Sequence, residues 1–125
     1  MKSARLCLAL FLLAVSATAG QGGPTHLKAR EIAAILAGNT ATGRWNGTAY
    51  RQYFASDGGT VYVTDGGRPS RGKWRVDPKT NRYESRWERS GWTAYRVIRL
   101  RGAYAWVKAN GTKHRFEVRT GRRLD

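Results

Sequence analysis

The fold is indicated most clearly by residues 72–88, GKWRVDPKTNRYESRWE. Two runs in which bulky and polar residues alternate flank the segment Pro-Lys-Thr-Asn, a pattern typical of two half-buried strands joined by a turn. If residues 78–81 form the loop, Val76 lies opposite Tyr83 in the hairpin. The large rings then share one face of the hairpin, and its arginines share the other face.

The same alternation, interrupted by Asn-Gly, Asp-Gly-Gly and Ser-Gly turns, covers the chain from Thr40 onward and predicts consecutive hairpins. We expect eight strands at about 40–45, 48–55, 60–64, 71–77, 82–88, 92–100, 103–109 and 112–119. The predicted fold is mainly β, an antiparallel up-and-down meander. It either closes as a small barrel or stays a strongly curled open sheet.

Turn lengths predict the remaining registers. The loop at 78–81 places Arg75 opposite Glu84, and a three-residue loop at 89–91 places Arg96 on the other side of Glu84. Glu84 is therefore predicted to lie between two arginines. Two-residue turns at 101–102 and 110–111 set further pairs, namely Tyr95 with Lys108, Val97 with Trp106, Trp106 with Arg115 and Tyr104 with Glu117. The resulting aromatic face, a candidate core or pocket lining, contains Trp74, Tyr83, Trp87, Tyr95 and Trp106. Half of the opposite face is aliphatic, at Ile98, Leu100, Ala105, Val107, Phe116 and Val118.

One amphipathic helix is predicted at about 25–37, with Thr25 as its cap and Gly38 as its stop. Its apolar side chains recur at helical spacing, at Leu27, Ile32, Ile35 and Leu36. The aliphatic half of the sheet needs a cover, and this helix needs a surface to bury against. We therefore expect the helix to pack over that half.

The first 19 residues have the pattern of a secretory signal peptide. Lys2 and Arg5 precede an apolar run at 6–15, and Ala17-Thr18-Ala19 provides a cleavage site. The run is shorter than the roughly 20 residues that cross a bilayer, so no transmembrane segment is expected in the mature chain. The sequence predicts an exported single domain, residues 20–125, that is periplasmic or secreted. No cysteine follows Cys7, which leaves the mature chain without a disulfide or a thiol nucleophile.

The chain is strongly basic. Without Lys2 and Arg5 its 23 basic residues become 21, which against 8 acidic residues leaves a net charge of +13. Such an excess attracts phosphate- or carboxylate-rich partners, although a bias in genomic base composition explains it equally well. The candidate anion-binding residues are Arg71, Lys73, Arg75, Arg86 and Arg115.

The sequence carries no recognisable catalytic or metal-binding pattern, so we expect a non-enzymatic protein without a cofactor. His26 and His114 are far apart in sequence and lack zinc-site spacing. The serines lack a Gly-x-Ser-x-Gly elbow, and Glu84 and Glu88 are expected to face arginines, which disfavours a general acid.

A series of short motifs extends over most of the chain after the first 19 residues, namely Glu31-Ile32 through Leu36, Gly38-Asn39-Thr40, Tyr50-Arg51-Gln52-Tyr53-Phe54, Asp57-Gly58 and Gly72-Lys73-Trp74-Arg75-Val76-Asp77. In these motifs the chain resembles a family of small exported bacterial proteins of unassigned function. The resemblance implies export and an all-β body rather than an activity. It also implies a cross-strand disulfide in other members at the positions of Ser85 and Ala94, which this chain lacks.

The leading functional prediction is an exported β-protein that associates with anionic envelope material, such as acidic polysaccharide or lipid-linked sugar. A lipocalin-like carrier of a small apolar ligand is the alternative. An inhibitor or protein-interaction module is a further alternative. Nucleic acid is less favoured as a partner, because export takes the protein away from cytoplasmic DNA and RNA.

Overall fold

The computed structural model describes residues 25–125, so the predicted signal peptide and its cleavage near Ala19 lie outside the described residues. The elements are one helix and eight strands: α1 (Ala29–Leu36), β1 (Thr40–Trp45), β2 (Thr48–Phe54), β3 (Gly59–Thr64), β4 (Ser70–Asp77), β5 (Arg82–Trp87), β6 (Thr93–Leu100), β7 (Ala103–Val107) and β8 (Lys113–Arg119). In this part of the chain no helix has the length and apolar character that crossing a bilayer requires.

The eight strands form a closed barrel. Each strand pairs antiparallel with the next one in sequence, and β8 pairs with β1, for example through Gly43 opposite Phe116. The predicted meander is therefore confirmed, and of the two predicted outcomes the chain adopts the barrel. Closure pairs the first strand with the last, which removes the two edge strands that an open sheet would have.

Two hairpins have the registers predicted from their turns. In β4–β5, Val76 lies opposite Tyr83 and Gly72 lies opposite Trp87. In β6–β7, Val97 lies opposite Trp106. The rings of these strands consequently point into the barrel, and the arginines of β4 and β5 point outward.

The predicted β5–β6 register is wrong by two residues. Tyr83 lies opposite Tyr95, and Glu84 lies opposite Ala94 instead of Arg96. The connection is longer than three residues, because the chain turns back at Ser90, whose N–H donates to the Trp87 carbonyl at 3.0 Å, and β6 begins only at Thr93. An even shift preserves the inner and outer faces. Glu84 nevertheless loses its second predicted arginine.

The predicted β7–β8 register is wrong by one residue, which exchanges the faces of β8. The Lys108 N–H donates to the Thr112 carbonyl at 2.9 Å, so the loop holds three residues, with Gly111 at φ 86°. Trp106 therefore lies opposite His114 instead of Arg115, and Phe116 lies opposite Tyr104 on the inner face. Phe116, predicted on the aliphatic outer face, is 1% exposed and packs against Trp106 at 4.0 Å between ring centroids.

The helix crosses one end of the barrel, where it packs on the inner core. The Ala29 N–H donates to Asn81 Oδ1 at 2.9 Å in the β4–β5 turn, and the Gly38 N–H donates to the Phe54 carbonyl at 2.6 Å. Ile32 and Leu36 are fully buried in one cluster with the inner-face rings. The expectation that the helix covers the aliphatic outer half is wrong, because its buried side chains Ile32 and Leu36 pack into the inner cluster at this end of the barrel.

The helix begins later than predicted. Lys28 precedes its first residue, and Glu31 Oε1 accepts from the Lys28 N–H at 3.2 Å. Residues 25–27 instead run beside β6, where the Leu27 N–H donates to the Val97 carbonyl at 2.8 Å. Thr25 is thus part of an extended segment, whereas the predicted stop at Gly38 agrees with its φ of 77°.

Candidate functional site

The end of the barrel opposite α1 is open. Inner-face rings near this end are partly exposed, whereas Phe54 at the helix end is fully buried. A concavity enters the barrel here, and we call its inner part the cup. The cup is lined by the inner-face residues Trp45, Tyr50, Gln52, Tyr62, Tyr83, Ser85, Trp87, Tyr95 and Trp106.

Aromatic rings form the walls of the cup. Tyr50 and Tyr62 stack at 5.2 Å between ring centroids, and Trp87 meets Tyr62 edge-on at 5.9 Å. Each ring comes from a different strand, and the register places all three on the inner face. The walls are therefore apolar surfaces whose shape the strands hold fixed.

Polar groups lie at the bottom of the cup. Gln52 Nε2 donates to Thr60 Oγ1 at 2.9 Å and to the Tyr83 hydroxyl at 3.1 Å. Trp106 Nε1 donates to the Tyr50 hydroxyl at 2.9 Å. We call Tyr50, Gln52, Tyr83 and Ser85 the polar floor.

The tyrosines of the cup are neutral at physiological pH. Burial raises the pKa of Tyr50 from 10.0 to about 12, although the hydrogen bond from Trp106 opposes the shift. Burial also raises the pKa of Tyr83, Tyr62 and Tyr95 above the ordinary value. Their hydroxyls therefore keep the protons with which they can donate hydrogen bonds.

The mouth of the cup combines rings with basic side chains. His114 stacks on Trp45 at 4.1 Å, and Tyr95 meets the same indole edge-on at 5.8 Å. Lys108 Nζ lies 6.0 Å from the centroid of the Trp45 ring. The mouth therefore offers a cation beside aromatic surface.

The predicted aromatic residues separate into two groups. All five point into the barrel, but Trp74 lies on the helix side, where its Nε1 donates to the Ala55 carbonyl at 2.8 Å and its ring packs against Phe54. Trp87 and Tyr95 line the cup, and buried Tyr83 and Trp106 reach it from below. Trp74 is thus a core residue.

Sequence reasoning missed the contribution of β1, β2 and β3 to the cup. Trp45, Tyr50, Gln52 and Tyr62 belong to strands whose faces were not assigned. The signal was present, because Tyr50, Gln52 and Phe54 recur at every second residue of one strand. His114 was missed for another reason, namely the one-residue error in the β7–β8 register.

The predicted anion-binding residues also separate. Arg71, Lys73, Arg75 and Arg86 point outward from the adjacent strands β4 and β5, and we call these four the basic face. Arg115 lies on β8 and pairs there with Glu117 at 3.6 Å. The structure therefore brings four of the five residues together.

An exposed tryptophan borders the basic face. The Arg75 guanidinium lies 3.8 Å from the ring centroid of Trp92, and that of Arg86 lies 5.3 Å from it. Trp92 is 37% exposed. Arg75 also pairs with Glu84 at 2.8 Å, which leaves Arg71, Lys73 and Arg86 as the cations of this face without a carboxylate partner among the described residues.

No family model, curated protein or solved structure matches the chain. The resemblance to a family of small exported bacterial proteins stays a prediction. The disulfide that it implies does not fit the observed register, because Ser85 lies opposite Thr93 and Ala94 lies opposite Glu84. The two positions point to opposite faces of the sheet, and a disulfide would require them to point to one.

Proposed function

We propose that the protein is an exported, non-enzymatic binding protein that takes a small ligand with a ring into the cup, in the manner of a lipocalin-like carrier. The observation that carries this proposal is the asymmetry of the barrel. Helix α1 closes one end with fully buried apolar side chains, and the other end leaves aromatic inner-face residues partly exposed.

The chemistry of the cup suits a ligand of this kind. Small-molecule sites are concave, largely apolar and supplied with a few placed polar groups. The walls provide flat rings, such as Tyr62 and Trp87, and the floor provides hydroxyl and amide groups. Filling the cup would bury the exposed parts of these rings, which is favourable at roughly 25 cal/mol per Å² of apolar surface.

Fluorescence titration with the neutral probe N-phenylnaphthylamine tests the proposal. Saturable binding of one probe per chain is expected, and Trp87→Ala should weaken it about tenfold or more because a wall is lost. The matched control is Trp92→Ala, which removes a tryptophan outside the cup. Absence of binding, or equal weakening by both substitutions, would contradict the proposal.

A second function is association with an anionic polymer of the cell envelope, such as acidic polysaccharide, through the basic face. The specific observation that favours it is the grouping of Arg71, Lys73 and Arg86 on two paired strands with no carboxylate partner among the described residues. Arginine suits such contacts because its guanidinium binds oxyanions through two hydrogen bonds. The overall positive charge would strengthen the attraction at low salt.

Heparin chromatography distinguishes a local site from general charge. The basic-face variant replaces Arg71, Lys73 and Arg86 with alanine. The control replaces Lys113, Arg115 and Arg119 on β8 and loses the same charge. We expect the first variant to elute at clearly lower salt than the control. Equal elution of the two, or no retention of the unmodified protein, would refute a dedicated site.

A further inference from the structure

The polar floor restricts what the cup can hold. The Tyr50 hydroxyl accepts from Trp106 Nε1, so its own proton remains available to a ligand. Gln52 uses its amide N–H groups on Thr60 and Tyr83. A ligand without hydroxyl groups would bury the proton of the Tyr50 hydroxyl and give it no acceptor in place of water, which disfavours such a ligand.

The mouth adds a requirement for charge. Lys108 lies over Trp45 at the mouth and forms no ion pair with any residue in 25–125. The inner positions of the eight strands, as the registers define them, include no aspartate or glutamate. The acidic residues that line the concavity, Asp57 and Glu88, lie outside these inner positions. A carboxylate beside Trp45 would therefore meet Lys108 and no inner-face acid.

From the walls, floor and mouth together we infer that the cup binds a sugar ring bearing a carboxylate, such as the uronic acid unit of an acidic glycan. The apolar C–H faces of the ring would lie against Tyr62 and Trp87, its hydroxyls would reach Tyr50 and Gln52, and its carboxylate would meet Lys108. This inference rests on the proposed function of the cup and names its ligand class.

Three small probes separate these contributions in calorimetric or NMR titrations of the mature protein. Methyl glucuronide has the ring, the hydroxyls and the carboxylate, methyl glucoside lacks the carboxylate, and cyclohexanecarboxylate lacks the hydroxyls. We expect methyl glucuronide to bind most tightly, with losses of about 3- to 10-fold for either simpler probe. Equal or tighter binding of cyclohexanecarboxylate would overturn the role of the floor, and equal binding of methyl glucoside would overturn the role of the mouth.

A charge-matched pair of variants tests the position of the carboxylate. Lys108→Gln should reduce the affinity for methyl glucuronide to that for methyl glucoside and leave the glucoside unchanged. Lys113→Gln removes the same charge from β8 and should change neither affinity appreciably. Equal effects of the two variants would overturn the inference. If no sugar binds while N-phenylnaphthylamine does, the inference fails and the proposed function stands.

Discussion

At the scale of single residues, a glycine decides how the cup is built. An ideal Cβ at Gly72 would lie 2.5 Å from the Arg86 carbonyl oxygen and 2.7 Å from the Trp87 ring. Gly72 lies directly opposite Trp87 in the β4–β5 ladder, so the indole lies across bare backbone. Only a residue without a side chain permits this approach, because the carbonyl belongs to the neighbouring strand and cannot move aside cheaply.

Gly72→Ala should destabilise the protein by about 1–3 kcal/mol, the usual cost of overpacking, and should displace Trp87 from the wall of the cup. Urea unfolding followed by tryptophan fluorescence measures the free energy of unfolding. The emission of the folded protein before urea is added reports the displacement of Trp87. Gly91→Ala is the matched control, because a Cβ there meets nothing within 4 Å. A Gly72→Ala variant as stable as the Gly91→Ala variant would show that the wall can relax around the methyl group.

The face to which a side chain points was predicted correctly where the alternation of residues along a strand is enough to decide it. Trp74 and Tyr83 point inward because a strand alternates its faces and the β4–β5 turn is unambiguous. Phe116 and His114 were misplaced because Asn-Gly suits both a two-residue turn and a three-residue loop with glycine at positive φ. The sequence does not choose between them, and one residue of loop exchanges the faces of β8.

At the scale of elements, the sequence predicts the apolar face of α1 but not the surface on which that face packs. The apolar spacing of α1 and its stop at Gly38 follow from sequence periodicity. The surface on which α1 docks does not follow from periodicity, because the sheet presents apolar side chains on both of its faces. The helix takes the barrel end, where Ile32 packs in the same cluster as Phe54 and Trp74.

Because α1 closes one end of the barrel with only one of its faces, its side chains should contribute unequally to the free energy of unfolding. Ile32→Ala removes a fully buried side chain and should cost about 2–5 kcal/mol in free energy of unfolding. Ile35→Ala should cost clearly less, because Ile35 is only partly buried. Denaturant unfolding of the two variants measures the difference. If Ile35→Ala proved the more damaging, the helix would pack through a different face from the one described.

At the scale of the whole molecule, closure of the barrel depends on a strand pairing that no single hairpin predicts. Hairpin turns predict that each strand pairs with the next one in sequence. The pairing of the first strand with the last instead joins residues about 80 positions apart, such as Thr40 and Arg119. No turn motif encodes that contact. It follows from the twist of eight strands and from the apolar inner face that closure buries.

Hydrogen exchange of the backbone amides should report this closure directly. In a closed barrel the β1 and β8 amides that face each other, between Thr40–Gly43 and Phe116–Arg119, are bonded and should exchange about as slowly as those of β4–β5. The amides of Glu88, Arg89, Gly91 and Trp92, which lie between β5 and β6, provide the fast-exchanging reference. In an open curled sheet, β1 and β8 would be edge strands, and their outward amides would exchange with rates near that reference. Such an outcome would also remove the enclosed cup, because its Trp45 and His114 meet only across the β1–β8 seam.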